Sequence, residues 1–368
     1  MSGQERGKAM HLLINTGGGD APGLNAVIRA VTLGALNRGW RVTGIRYGYE
    51  GLRSGDPDGL IPLDRDRVRG IAHLGGTILG AINKGNPFEY PVHRGEAVVL
   101  TDVSDEVLAR FRAVGGDALI AVGGDGSLRI AQRFCDLGLP VVGVPKTIDN
   151  DLDGTLFTFG FDTAVSVATE AIGRLHTTAE AHRRVMVVEV MGRDAGWIAL
   201  HAGIAGGADV ILIPEIPFDI GTVAGKIQAR EAQGRGFSIV VVAEGAMPHD
   251  GDRAIRAHEA GRDVQLGGMG AQVAEQLQAL TGKETRTTVL GHIQRGGTPS
   301  AFDRVLALRF GAAAVHLVGQ GLFGHMVGYQ PPDMVPVPIR DAVARLRRVP
   351  LESGTVRTAR TLGICLGD

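Results

Sequence analysis

The sequence predicts an α/β protein of the doubly wound type. Short apolar strand-like runs alternate with helical stretches, and most of the runs are continuously apolar rather than alternating with polar residues. That pattern belongs to strands buried on both faces, as in a parallel sheet covered by helices. The runs also end in glycine or charged clusters. In open α/β sheets ligands sit beyond the carboxyl ends of the strands, so the chemistry is expected there. The chain has 368 residues, too long for one compact core, and similar αβ units recur along it. Two similar lobes are expected.

HLLIN (11–15) opens the series and leads through a glycine turn into a helical pattern over 24–38. RVTGIRY (41–47) reads as a second strand. DALIAVGG (117–124) precedes the helical GSLRIAQRF, and PVVGVP (140–145) leads into KTIDNDLD. RVMVVEV (184–190), ADVILIPE (208–215) and SIVVVAEGA (238–246) repeat the scheme.

Composition excludes several classes. Hydrophobic residues make up 44% and charged residues 21%, ordinary values for a globular protein. The 56 glycines are scattered, which reads as many tight turns. The net charge is −1, with no basic stripe for nucleic acid. Cys135 and Cys365 are the whole cysteine complement, so neither a disulfide framework nor a zinc site is expected. No apolar run approaches membrane-spanning length, and the polar MSGQERGKAM start lacks a signal-peptide core. The reading is a cytoplasmic enzyme with no membrane partner.

Five stretches carry candidate chemistry. GGGDAPGLN (17–25) follows the first strand and opens a helix. Its amides, including those of Gly18 and Gly19, suit an anion at a helix N-terminus. The alternative is a plain turn capped by Asp20 or Asn25. GGDGS (123–127) repeats the arrangement: Gly124, Gly126 and the Ser127 hydroxyl suit a nucleotide phosphate, and Asp125 offers a hard oxygen to Mg²⁺. A capped turn is again the alternative. In PKTIDNDLD, Asp149 can take a proton from a hydroxyl, Asp151 can hold metal or orient the loop, and Lys146 can neutralise a transferring phosphoryl group. Asp153 reads as a solvated acid. In MGRDAGW (191–197), Arg193 can reach a phosphate. In VLGHIQRGG (289–297), His292 and Arg295 suit a phosphomonoester, against the alternative of a buried structural histidine. Arg184, Arg286 and Glu244 complete a possible sugar-phosphate set.

Taken together, GGGDAPGLNAVIR, GGDGS, PKTIDNDL, EVMGR, AEGA and LGHIQRGG resemble the 6-phosphofructokinase family in order and spacing, from about residue 11 to about 345. The resemblance is to the phosphofructokinase A type, with the mixed features of an actinobacterial-like subgroup. It implies two doubly wound, Rossmann-like αβα lobes with the active site between them. Residues 9–160 and about 293–345 would form the donor lobe, and about 161–292 with 346–368 the sugar lobe. It further implies that Gly19 approaches the transferred phosphoryl group and that Asp125, with Asp151 near it, serves Mg²⁺. Asp149 would be the base for the sugar 1-hydroxyl, with Thr147 on the transferred phosphate. Met191, Gly192 and Arg193 would line the site, and Glu244, His292 and Arg295 would hold fructose 6-phosphate. Arg184 and Arg286 would reach the 6-phosphate of a neighbouring subunit, in a homodimer or homotetramer.

Two positions bear on the donor. In the pyrophosphate-using branch an aspartate commonly stands at the position of Gly126, where it would collide with the α-phosphate of ATP. That branch also carries a lysine before TID, and Lys146 is present. Steric exclusion is the harder barrier, so the reading favours ATP, with pyrophosphate as the alternative. ATP enzymes of the family usually have arginine at the position of Asn83; Lys84 or Lys146 would supply that charge. The positions matching the family's effector site include Leu33, His176, Gln233 and Phe237, with only Arg29 and Arg235 basic, which argues against that switch. Two rival activities share the scaffold: a kinase for sedoheptulose 7-phosphate and a non-catalytic sugar-phosphate sensor. A sensor would be expected to lose the base or the metal acid, yet Asp149 and Asp125 are both present.

Overall fold

The computed structural model describes residues 9–53, 56–82, 85–95, 97–257 and 265–368; Asn83 and Lys84 lie outside them. The strands of the first half are β1 (His11–Thr16), β2 (Arg41–Ile45), β3 (Leu60–Leu63), β4 (Tyr90–Arg94), β5 (Ala97–Thr101), β6 (Ala118–Gly123) and β7 (Val141–Pro145). Those of the second half are β8 (Val185–Val190), β9 (Val210–Leu212), β10 (Ser238–Ala243), β11 (Ile255–Ala257), β12 (Gln265–Leu266), β13 (Thr285–Val289), β14 (His325–Gln330) and β15 (Asp333–Pro338). The helices are α1 (Leu24–Leu36), α2 (Glu50–Arg53), α3 (Ser104–Ala113), α4 (Asp125–Asp136), α5 (Phe161–His182) and α6 (Trp197–Ala205). They continue with α7 (Ile220–Ala232), α8 (Met269–Thr281), α9 (Ala301–Gly319), α10 (Ile339–Ala342) and α11 (Gly354–Thr361).

These elements form two compact units. The first comprises Met1–Thr147, Leu152–Gly160 and Gly296–Arg345; the second comprises Ile148–Asp151, Phe161–Arg295 and Leu346–Asp368. The TIDND segment therefore contributes Thr147 to one unit and Asp149 and Asp151 to the other.

The first unit is a seven-stranded sheet in the order β15-β14-β7-β6-β1-β2-β3. β14, β7, β6, β1 and β2 are parallel, and the edge strands β3 and β15 are antiparallel to their neighbours. Alternate residues of one strand feed opposite cores. Leu12, Ile14, Ile120 and Val122 join Val27, Ile28 and Phe310 of α1 and α9, while Leu13, Leu119 and Ala121 join Val107, Phe111 and Phe134 of α3 and α4. Both faces must be apolar, which is why these strands read as unbroken hydrophobic runs. From β1 the chain moves to β2 on one side, and β6 lies on the other, so the order reverses between β1 and β6. A ligand crevice is expected beyond the carboxyl ends of such a pair.

The second unit has a parallel four-stranded sheet in the order β13-β8-β10-β9. Val185, Val187, Val240 and Val242 pack on α7 and α8 through Val223, Ile227, Val273 and Leu277. Val188, Ile239 and Val241, on the alternate positions, are equally buried, and α5 and α6 cover β8 and β10 from that face. Here the order reverses at β8, which lies between β10 and β13. No helix among the described residues is long and apolar enough to cross a membrane.

Two local expectations are corrected. Neither Asp20 nor Asn25 caps α1, whose N-cap is Gly23, with no side-chain bond. Asn25 instead donates to the carbonyls of Leu74 and Gly75 and accepts the Ile78 N–H at 2.9 Å, tying the helix start to the neighbouring loop. Asp153 is not a merely solvated acid; it accepts from Arg345 Nε at 2.6 Å.

Phe310 is fully buried between α9 and the sheet, with its ring centroid 6.2 Å from that of Phe159. Replacing Phe310 with alanine should cost about 3–5 kcal/mol of stability, read as a lowered midpoint in urea unfolding.

Candidate active site

In the first unit, the turns after β1 and β6 are built against each other. The Gly17 N–H donates to the Val122 carbonyl at 2.9 Å. A Cβ on Gly17 would come 2.8 Å from Ser127 Oγ, and one on Gly123 would come 2.3 Å from Ser127 Cβ. Glycine is therefore required for the approach, and Gly18 also takes a left-handed φ of 72°. Gly124 caps α4 without a side-chain bond, and Asp125 is its first residue. Asp125 Oδ2 accepts from Arg129 Nε at 2.9 Å, while its buried Oδ1 has no partner among the described residues. A hard cation would satisfy that oxygen. No group of three or more metal-ligating side chains occurs among the described residues. Mg²⁺ does not require one, because it is commonly held by one or two carboxylates together with substrate phosphates.

Lys146 follows β7 directly and is only 3% exposed. Its Nζ donates to the Gly19 carbonyl. A Cβ on Gly18 would lie 3.4 Å from the same nitrogen. The lysine therefore places its ammonium inside the first glycine turn, where a buried cation can balance an anion. Thr147 beside it is buried, and its carbonyl accepts from the Thr158 hydroxyl at 2.7 Å.

In the second unit, Asp149 and Asp151 flank Asn150, which has a left-handed φ of 53° and is buried. Asparagine is among the few non-glycine residues that tolerate this region, and such backbone strain concentrates at functional sites. Arg347 holds the segment: its N–H donates to the Asp151 carbonyl at 2.8 Å and its Nη1 to the Asn150 carbonyl at 3.2 Å. Arg347 also stacks over Trp197, whose Nε1 donates to the Arg347 carbonyl at 2.9 Å. Sequence reasoning missed Arg347, because it lies near the C-terminus in no recognisable motif.

The other strand ends of this unit converge by register. β8 runs into Met191, Gly192 and Arg193, and β10 beside it runs into Glu244, whose N–H donates to the Val190 carbonyl at 2.9 Å. A Cβ on Gly245 would fall 1.9 Å from the Arg193 carbonyl oxygen, so that turn must be glycine. β13, on the other side of β8, leads to His292 and Arg295 in the 3-10 turn Gly291–Gln294 and its cap. His292 is exposed, so it is not a buried structural histidine.

Glu244 has its pKa pushed up to about 7, first by burial and then by the charges of Asp149 and Glu189; the Gly192 N–H and Arg295 oppose the shift. Arg184 and Arg286 lie elsewhere. Arg184 precedes β8 and Arg286 is the second residue of β13, at the amino ends of strands whose carboxyl ends carry Met191 and His292. A six-residue strand rises about 20 Å, which separates the two groups. Both arginines pair with Glu284, Arg184 at 2.8 Å, and Arg184 first among them holds the Glu284 carboxyl below its usual range.

The family model described as Phosphofructokinase matches residues 11–318. The chain belongs to the phosphofructokinase family. An ATP-dependent 6-phosphofructokinase of Chloroflexus aggregans is 53% identical over 98% of this chain and 99% of its own length. A pyrophosphate–fructose 6-phosphate 1-phosphotransferase of Streptomyces coelicolor is 52% identical over 92% of this chain and 96% of its own. Among solved structures, the phosphofructokinase of Pichia pastoris matches with a TM-score of 0.79 and 32% identity, covering 97% of this chain and 37% of that one. The chain is thus a phosphotransferase, and its α/β fold is that of the family.

The raised Glu244 pKa fixes the sign of a stability effect. Between about pH 4.5 and 7 the folded chain holds a proton on Glu244 that the unfolded chain has released, so stability falls as pH rises through that window. Above it the charge costs up to about 3 kcal/mol. Glu244→Gln should therefore melt above the unmodified protein at pH 8, and the difference should vanish below pH 5.

Proposed function

We propose that this member of the family transfers the terminal phosphoryl group of MgATP to the 1-hydroxyl of fructose 6-phosphate, as a cytoplasmic glycolytic enzyme. The first unit supplies the donor groups: the amides of Gly18, Gly19 and Gly124, the Ser127 hydroxyl, Lys146 and the Asp125 carboxylate. Asp149 takes the proton from the sugar hydroxyl, while Thr147, Lys146 and Arg193 offset charge on the migrating group. Asp125 and Asp151 would hold Mg²⁺, which, when bound with the donor, neutralises phosphate oxygens. Glu244, His292 and Arg295 recognise the sugar phosphate. The placement of Arg184 and Arg286 at the opposite end of the sheet supports their service to a second subunit in a homodimer or homotetramer.

The observation that carries the donor assignment is Gly126. A Cβ built there meets nothing within 4 Å, so an aspartate would fit the protein while placing a charge where an α-phosphate must pass. Two like charges about 4 Å apart repel by about 4 kcal/mol at an effective dielectric of 20. Pyrophosphate has no α-phosphate and escapes that penalty. The burial of Lys146 against Gly19 favours pyrophosphate as a second reading, since it supplies a cation that does not depend on a nucleotide.

Donor kinetics separate the two. Turnover with MgATP should exceed turnover with Mg-pyrophosphate, and Gly126→Asp should lower kcat/KM for ATP by about 10²–10³-fold while sparing pyrophosphate. Comparable or better activity of the unmodified protein with pyrophosphate would overturn the assignment. Asp149→Asn should lose at least about 10²-fold in kcat and still bind fructose 6-phosphate in calorimetry. Appreciable retained turnover would remove Asp149 from its role as base.

A further inference from the structure

Glu189 is the last but one residue of β8 and is 3% exposed. Nothing in the proposed reaction uses it. β8 lies between β10 and β13, with Glu189 paired to Val242 on one side and Val289 on the other. Each of the three strands then runs on, within a few residues, to part of the sugar-phosphate set: Met191–Arg193, Glu244, and His292–Arg295. Glu189 therefore stands at the base of all three.

Its carboxylate is spoken for by α8. Oε2 accepts from Gly270 N at 2.7 Å, and Gly268 N lies 3.1 and 3.2 Å from the two oxygens. Its carbonyl accepts the Leu290 N–H at 3.0 Å, fixing the turn that leads to His292. A Cβ on Gly270 would come within 3.0 Å of Glu189 Cβ, so the helix start approaches as closely as glycine allows. The negative end of the carboxylate meets the positive end of the helix, a stabilising arrangement. Register adds the second link. Val242 and Val240 face α7 and α8, as Val187 and Val185 do. Glu244, two residues beyond Val242, continues that alternation onto the Glu189 side of the sheet.

We propose that Glu189 is a positioning residue for the sugar-phosphate site: its carboxylate pins the α8 N-terminus to the strand end carrying Met191–Arg193, on the face of the sheet that Glu244 continues. The inference rests on the sugar-phosphate reading of the second unit and is independent of the donor. The charged groups facing Glu244 are Asp149 and Glu189, which favour its protonated form, and Arg295, which opposes it together with the Gly192 N–H.

The test is calorimetric binding of fructose 6-phosphate to the full chain without donor, from pH 5.5 to 9, for the unmodified protein, Glu189→Gln and Glu189→Asp. The unmodified protein should show an inflexion near pH 7 from Glu244. The second ionisation of the sugar phosphate, about pH 6, is common to all three and cancels in comparison. Glu189→Gln keeps the shape and removes the charge, so the Glu244 inflexion should move to lower pH. Glu189→Asp keeps the charge but is one methylene short of α8, so the inflexion should stay while affinity falls about fivefold. A purely structural role would lower the melting temperature of both variants and leave the inflexion where it is. An unmoved inflexion in folded Glu189→Gln overturns the proposal, as does unchanged affinity in Glu189→Asp, which decides alone if the glutamine variant does not fold. If the unmodified protein fails to bind fructose 6-phosphate at all, the sugar-phosphate reading falls too, whichever donor it uses.

Discussion

The controlling constraint is the abrupt end of each buried parallel strand. β1, β6, β7, β8 and β10 are buried along their whole length, packed on both faces. At the carboxyl end each must pass from apolar side chains to polar chain within one or two residues, and its last amides and carbonyls must find partners. The solutions are a glycine turn after β1 and β6, a lysine after β7, the Met191–Arg193 turn after β8 and a carboxylate after β10. Apart from Arg184, Arg286 and the His292–Arg295 turn that follows β13, every group assigned to phosphate, proton or sugar chemistry is one of these solutions or lies within a few residues of one.

Electrostatics divides the work. The first unit gathers amides and the Lys146 ammonium, an environment for anions. In the second, burial first and then the charges of Asp149 and Glu189 make Glu244 resist ionisation. Three carboxylates so placed would be costly without compensation, and the compensation is specific: α8 for Glu189, Arg295 and the Gly192 N–H for Glu244. Arg347 steadies the 148–151 backbone beside them.

Much of the fold was legible because two-sided burial forces unbroken apolar runs; β1, β6, β7, β8 and β10 all carry that signal. β13, β14 and β15 did not. TRTTV in β13 buries only Thr285, being an edge strand with one solvated side, so its largely polar composition hid it. The glycine turns and TIDND were legible as motifs because strand ends demand unusual residues. Arg347, Glu189 and Asn25 were not. Each acts through backbone groups distant in sequence, and no local pattern encodes such a partner. The capping role given to Asn25 failed for that reason: its side chain serves the loop at 74–78, not its own helix.

The central claim is that the strand-end carboxylate at position 149 addresses the sugar alcohol while cations at the other strand ends address phosphate. A crystal structure with fructose 6-phosphate and a non-hydrolysable ATP analogue measures this directly. The 1-hydroxyl oxygen should lie about 2.6–3.2 Å from the Asp149 carboxylate, with the 6-phosphate on His292 and Arg295. A sugar bound with that hydroxyl out of reach of Asp149, or with its phosphate on the Gly17–Gly19 turn, would contradict the account.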